Sequence, residues 1–323
     1  MSLRFRLGLA ADLPACVALL REEGCFRAGA SLWPRLPGLW RSMLDSPAVQ
    51  FVVLEDIAAP PAARLWGCAI SVIVRDDFVA ELRGRGRPWS GALLYERIGS
   101  RASPLLGEHE IGRANAGDGV DVLLLHHPLR HRAPDDPKLE ATLNVGMAAF
   151  YFCHAGFHVR SVLWEVYGDH FARLLAGGGY RQVDDFAAHA AASALPPERR
   201  PFLMGLHRHV AGRRAYDANA LWLFRREPPT MRFSSAQRRL LRLALTGMSD
   251  RDIAAALDVS ENAVRQGWRA IQGRVQAVLP ALFPDGQALD PVPAAAGGRG
   301  PARRRVVLDY LRQHMHELRP WAG

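Results

Sequence analysis

The sequence predicts an α+β domain followed by a small all-α unit, and three observations carry that division. Over residues 3–190, β-rich runs alternate with apolar helical segments. Pro228 and Pro229 then stand together, and a proline pair cannot continue a strand ladder. Beyond them, residues 233–275 read as three short helices with recognisable caps and an excess of arginine.

In the first part, residues 3–9 alternate as a strand, and Asp12 caps a helix over 13–23 with Val17, Leu19 and Leu20 inward. Two β-rich runs, 50–54 and 65–74, are joined through Pro60-Pro61 and predict a hairpin. Residues 76–118 are rich in glycine and arginine with few periodic apolar positions, so they predict irregular chain with at most a short helix. A buried strand over 120–125, a buried helix over 139–154 and a strand over 159–166 follow. A short helix over 169–175, an edge strand over 180–183 and a last strand over 221–224 complete the domain.

The second part has sharper punctuation. Ser234 with Gln237 has the spacing of a capping box, Ser249 with Asp252 marks a second start, and Ser260 with Glu261 a third. Gly247 suits the left-handed stop of the first helix. The expected helices are 235–246, 250–257 and 261–276, with a turn over 258–260 short enough for a helix-turn-helix. Leu240, Leu241, Ala244 and Leu245 should face Ile253, Ala254 and Leu257, with Val259, Val264, Trp268 and Ile271 closing the core. Asn262, Arg265, Gln266 and Arg269 recur at helical spacing as a separate polar stripe. Arginine can bond guanine bidentately, and asparagine or glutamine adenine, so the stripe suits base-edge readout in a major groove. Residues 232–275 hold eight arginines against Asp250, Asp252, Asp258 and Glu261, a balance suited to phosphate.

Residues 280–302 are rich in proline, alanine and glycine and predict a flexible spacer. Periodicity returns over 303–323, where Val307, Tyr310, Leu311, His314 or Met315, and Leu318 line one helix face. That helix either packs back on its own domain or pairs with a second subunit.

Composition sets the outer limits. A chain of 323 residues, 49% of them hydrophobic, can bury two cores. The formal charge is +9, and Lys138 is the only lysine among 41 basic residues. Four scattered cysteines without CxxC spacing predict reduced, buried thiols. No apolar run approaches a membrane span and the first residues lack a signal-peptide core, so a cytoplasmic protein without membrane contact is expected.

Leu241, Gly247, Ser249, Ile253-Ala254, Leu257, Val259-Ser260-Glu261, Val264 and Ile271 together resemble the LuxR-type DNA-binding domain. The resemblance implies that Arg265 and Arg269 touch DNA with Gln266 between them; Ala263 and Gly267 depart from the family's usual threonine and histidine. The first domain resembles the GNAT acyltransferase fold in its element order, its opening residues 3–24, and its strand-helix-strand unit ending in Gly179-Tyr180. That family holds acetyl-CoA pyrophosphate on the backbone N–H groups of a glycine-bearing loop. The corresponding loop over 125–139 has no glycine, three prolines (Pro128, Pro134, Pro137) and two acids (Asp135, Asp136), though Arg130 and Arg132 could meet an anion. Gly168 and Leu175 fall where the family tends to carry an asparagine and a proton-donating tyrosine. A non-catalytic platform is therefore expected, with no enzyme activity, catalytic residue or cofactor.

Other clusters have two readings each. His126, His127 and His131 with Asp135 and Asp136 could ligate zinc, but their spacing matches no structural site and solvated histidines are the plainer account. Trp33, Trp40, Trp66 and Trp164 are either core residues or the walls of a ligand cavity. His154 and His158 are expected at the surface, and residues 84–91 lack the spacing of a dinucleotide fingerprint.

The expected organisation is a GNAT-like mixed sheet flanked by helices (1–227), a linker (228–231), a helix-turn-helix domain (232–279), the spacer (280–302) and a terminal helix (303–323). The expected function is a bacterial transcription regulator on double-stranded DNA, acting as a homodimer with half-sites about 34 Å apart. Asn262, Arg265, Gln266 and Arg269 would meet base edges. Arg242, Arg251 and Arg274 would meet phosphates, and Ser260 would cap the reading helix. A small-molecule effector and a contact with RNA polymerase are further expected partners, and no metal is. The alternatives are an active N-acyltransferase joined to a DNA-binding domain, or a quorum-sensing-type receptor. A phosphorelay receiver is disfavoured, because no acidic pair follows an early strand.

Overall fold

Seven strands form one mixed sheet in the order β1-β2-β3-β4-β5-β7-β6. The computed structural model describes residues 2–27, 31–84, 86–98, 103–130, 136, 138–211, 222–283 and 300–322. It divides into two units, Met1–Arg226 with the last two residues, and Glu227–Trp321.

In the first unit, β1 (Leu3–Leu7) pairs antiparallel with β2 (Val49–Asp56), β2 with β3 (Leu65–Val74), and β3 with β4 (Val120–His126). β4 is parallel to β5 (Val159–Tyr167), and a parallel pair needs a crossover, supplied here by α6 (Leu139–His154). After the short α8 (Ala190–Ser193), β7 (Pro201–His207) inserts antiparallel between β5 and the edge strand β6 (Arg181–Asp184).

Period-2 alternation divides the side chains between two faces. Phe51, Val53, Ile70, Val72, Leu123 and Leu163 point to one face. They meet α1 (Leu13–Glu23), α2 (Leu36–Met43), α3 (Asp76–Gly84) and α4 (Ser90–Arg97) through Leu13, Trp40, Phe78 and Leu94. Ile73, Val122, Leu124, Val162 and Val166 point the other way, to α5 (Glu108–Ala116), α6 and α7 (Asp169–Gly177). Each fully buried leucine or phenylalanine contributes roughly 1.5–3 kcal/mol, so both helical layers are held mainly by this alternation.

The strands over 65–74 and the helix over 139–154 lie where the sequence places them. The segment 76–118 does not, because it holds three helices, α3, α4 and α5, rather than irregular chain with at most a short helix. The expected strand at 221–224 is also corrected, since Trp222 and Leu223 are helical and Leu221 lies outside the described residues. The last strand is instead β7, which begins with proline and contains Gly205.

The second unit holds α9 (Ser235–Leu245), α10 (Asp250–Leu257), α11 (Glu261–Val278) and α12 (Gly300–Gln313). Ser234, Ser249 and Ser260 accept from the backbone N–H groups of Gln237, Asp252 and Ala263, and Gly247 takes φ +87° after α9. Leu240, Leu241, Ala244, Ile253, Ala254, Val264, Trp268 and Ile271 are buried as expected, whereas Val259 is 45% exposed. Gly267 has a packing reason: a Cβ there would lie 2.7 Å from Leu240 Cδ1, so glycine lets α9 and α11 approach. Val307, Leu311, Met315 and Leu318 are buried, and α12 packs on α9 and α11 within the unit. The expected spacer lies mostly outside the described residues, at 284–299.

Gly119 enters β4 at φ +94°, and a Cβ would stand 2.2 Å from the carbonyl oxygen of His158. Gly119→Ala should therefore lower unfolding free energy by about 2–4 kcal/mol, read by urea denaturation, since strain and overpacking add.

Candidate functional site

The parallel ladder of β4 and β5 runs from Val120–Val159 to Leu124–Trp164 and ends there. Beyond it β4 keeps to β3, since Ile70 pairs with His126, Cys68 donates to Pro128 O at 3.2 Å and Arg130 donates to Trp66 O at 2.9 Å. β5 keeps to β7 as far as Tyr167–Pro201. The two parallel strands thus part company at their carboxyl ends. A β-bulge accompanies the parting: Ser71 pairs with Leu124 and Ile70 with His126, leaving Leu125 extra. The bulge puts both Leu125 and His126 on the α1–α4 face, which strict alternation would forbid.

On that face the bulge delivers His126 into a buried aromatic cluster. Its ring lies 4.5 Å from that of Phe26 and 5.6 Å from that of Trp40, and it stacks on Tyr95 at 5.8 Å. Trp40 Nε1 donates to the Tyr95 hydroxyl at 2.7 Å. That hydroxyl keeps its proton for His126 Nε2, 2.9 Å away, which assigns Nδ1 as the protonated nitrogen. Burial pushes the imidazole down to about 3 and the Tyr95 phenol upward, so both stay neutral near pH 7.

Glu165 lies buried at the end of β5. It accepts from Ser90 N at 2.9 Å and from the Tyr167 hydroxyl at 2.8 Å. Burial raises its pKa above the ordinary carboxylate range, against the pull of these hydrogen bonds and of the Trp89 N–H. Burial and the neighbouring carboxylate push Tyr167 up as well. Trp89 precedes α4 in the left-handed region, φ 66° and ψ 57°. Its indole nitrogen and Nδ1 of the adjacent His189 are buried with no hydrogen-bond partner among the described residues. A strained backbone position and two unpartnered ring nitrogens thus lie close to a buried carboxyl of raised pKa.

On the opposite face, a cavity of about 370 Å³ lies between the sheet, α6 and α7. Its walls include Leu124, Trp164, Leu143, Phe150, Phe171 and Leu175. Trp164 Nε1 donates to His127 Nδ1 at 3.0 Å across the parting of the strands. Of the loop expected to meet an anion, residues 131–135 and 137 lie outside the described residues.

The expected nucleic-acid face is exposed: Asn262, Arg265, Gln266 and Arg269 stand outward on α11, while Val264, Trp268, Ile271 and Val275 are buried. Arg265 makes an i,i+4 ion pair with Glu261 at 3.8 Å. Arg251 is exposed on α10, Arg242 is half-buried on α9, and Ser260 caps α11. Arg274 donates through Nε to Met231 O at 2.6 Å.

The surface placement expected of His154 and His158 is corrected, and the other smaller expectations are placed as follows. His154 is buried, accepting from Ser71 at 2.8 Å and donating to Phe150 O at 2.7 Å. His158 is half-buried and bonded to Arg208 at 2.6 Å, its pKa lowered by burial and by Arg208 and Arg226. Trp40 and Trp66 are core residues, and Trp164 lines the cavity. Cys16, Cys68 and Cys153 are buried free thiols, and Cys25 is half-buried. Of the histidine cluster, His126 and His127 turn to different partners, and no metal-holding group of three ligands occurs among the described residues. Among those residues no helix is long and apolar enough to cross a membrane.

No family model and no curated protein matches the chain. Solved structures do. A spermidine/spermine N-acetyltransferase, SpeG of Vibrio cholerae, aligns over 64% of this chain and 95% of its own at 10% identity, TM-score 0.36. NAA60 of Arabidopsis thaliana, solved with acetyl-CoA, aligns over 64% and 99% at 13% identity, TM-score 0.37. A Corynebacterium glutamicum structure described as histone acetyltransferase HPA2 and related acetyltransferase aligns over 64% and 96% at 14% identity, TM-score 0.33. The first unit has a GNAT-like fold by its strand order, its single parallel pair among the described strands and its bulge. The expectation of a non-enzyme is at odds with these findings, since the three solved structures named are described as acetyltransferases.

The depressed His126 pKa has a consequence for stability. From pH 6.5 down to about 3 the unfolded chain binds a proton that the folded imidazole refuses. His126 should thus subtract up to about 1.4 kcal/mol of stability for each pH unit lost across that window. His126→Asn should flatten the acid limb of a stability–pH curve by one proton, and an unchanged slope would mean the imidazole is not the titrating group.

Proposed function

We propose that the first unit transfers an acyl group to an amine and that the second binds double-stranded DNA, making the chain an acyltransferase tethered to a DNA anchor. The observation that carries the enzymatic half is Glu165, a fully buried carboxyl at the strand end where β4 leaves β5, held by the amino end of α4. Its raised proton affinity suits a general base that takes a proton from an attacking amine. Tyr167 donates to the same carboxylate and fixes its orientation. An acyl thioester, when bound, supplies the electrophilic carbonyl in the gap beyond Leu124 and Trp164.

The DNA half rests on the exposed stripe of α11. Asn262, Arg265, Gln266 and Arg269 face outward from a helix whose opposite side is anchored by Trp268 and Ile271. A helix of 18 residues fits a major groove, and the stripe offers bidentate donors to it. Arg242 and Arg251 supply phosphate contacts on the neighbouring helices, and Arg274 secures the start of the unit through Met231. Homodimeric binding to paired half-sites belongs to this reading.

Two measurements separate the halves. With acetyl-CoA or dodecanoyl-CoA as donor and a panel of amines, the full chain should release free CoA thiol, and Glu165→Gln should slow turnover by about 10²-fold or more. Absence of release from any amine would sink the enzymatic half. After selection of a site from random DNA, Arg265→Ala with Arg269→Ala should cost about 10- to 100-fold in preference over random sequence. An undiminished preference would remove α11 as the reading element.

A further inference from the structure

The cavity beneath α6 reaches past the parting of β4 and β5 to β2 and β3, where Val52, Leu54 and Ala69 form its floor. Apart from the hydroxyls of Tyr151 and Tyr180, its polar lining is already engaged. Ser71 bonds His154 at 2.8 Å, Thr142 bonds Lys138 O at 2.8 Å, Gln50 bonds Pro47 O at 3.2 Å and His127 bonds Trp164 at 3.0 Å. An incoming polar group would lose its water and gain little. A volume of about 370 Å³ is within the ordinary range for small-molecule pockets, and a wall of this kind stays dry when empty.

Gly146 is the second observation. It stands in the interior of α6 and lines the cavity, and a Cβ built there meets nothing within 4 Å. No turn or close helix approach requires glycine at this position, so its effect is to leave space. Met147, 42% exposed, and Leu174, 46% exposed, form an apolar rim on α6 and α7. Exposed apolar groups bordering an apolar hollow are a path for an apolar ligand.

We infer that the cavity beneath α6 binds an unbranched aliphatic chain. Its assignment as the tail of the acyl donor rests on the acyltransferase reading above, and that donor is then a fatty-acyl rather than an acetyl thioester. The chain lies along Val52, Leu54 and Ala69 under Gly146, with its carbonyl end toward the gap by Trp164. Free carboxylate and thioester share this chemistry and differ in what lies outside the cavity.

Calorimetric titration of the full chain with dodecanoate, dodecanoyl-CoA, acetyl-CoA and CoA tests it. Dodecanoate and dodecanoyl-CoA should each bind saturably near one per chain, with dodecanoyl-CoA about tenfold or more tighter than acetyl-CoA. Gly146→Leu fills the cavity with a better helix former, so it should raise Tm while weakening both aliphatic ligands by about tenfold or more. The raised Tm separates blocked binding from misfolding. If neither aliphatic ligand binds, if the chain adds nothing over acetyl-CoA, or if Gly146→Leu binds as wild type does, the inference is overturned. If dodecanoate binds and no CoA compound does, the inference stands and the acyltransferase reading falls.

Discussion

The parallel hydrogen bonding between β4 and β5 stops at Leu124 and Trp164, and nearly everything of chemical interest in the first unit follows from that stop. Each strand continues with its other neighbour, so the sheet stays whole while a gap opens at its middle. The extra residue Leu125 lets His126 turn to the α1–α4 face without breaking the pairing of β3. A regular ladder would send His126 toward α6 and leave the Trp40–Tyr95 pair without an acceptor. The parting also explains why Glu165 tolerates burial: freed from β4, this end of β5 meets the amino end of α4, whose N–H groups solvate a carboxylate.

The second unit solves a different problem, holding a long polar helix steady on a small core. Trp268 is the keystone, buried beneath Arg304, whose guanidinium sits 5.0 Å from the ring, and donating to Asp250 at 3.2 Å. Arg304 bonds the same carboxylate at 2.7 Å, so α10, α11 and α12 meet at one network. Glu317 plays a similar part at the other end, accepting from Thr230 at 2.5 Å and Met231 N at 2.8 Å. Those bonds and His316 keep it ionised although burial opposes it.

How much of this was legible depended on how local the signal was. The helix starts at Ser234, Ser249 and Ser260 were readable because a cap is written in four residues. α6 and β3 were readable because their periods run long. α3, α4 and α5 were missed because each is only eight or nine residues, with short apolar sets such as Phe78, Val79 and Leu82 among glycines and arginines. β7 was missed because a first-position proline and Gly205 both argue against a central strand. The site could not be assembled from the sequence: Trp40, Ser90, Tyr95, His126 and Glu165 come from four segments, α2, α4, β4 and β5, and only the bulge brings His126 among them. A bulge is a property of pairing between strands, and one strand's sequence does not show it.

Lys138 stands exposed at the start of α6, its ammonium 5.2 Å from the ring of Trp66. As the chain has no other lysine, an amine-selective fluorophore on a side chain goes to one address, at the head of the helix that roofs the cavity. The fold thereby carries a built-in attachment point for a spectroscopic reporter, beside an indole able to quench it, and movement of α6 becomes observable in the native sequence.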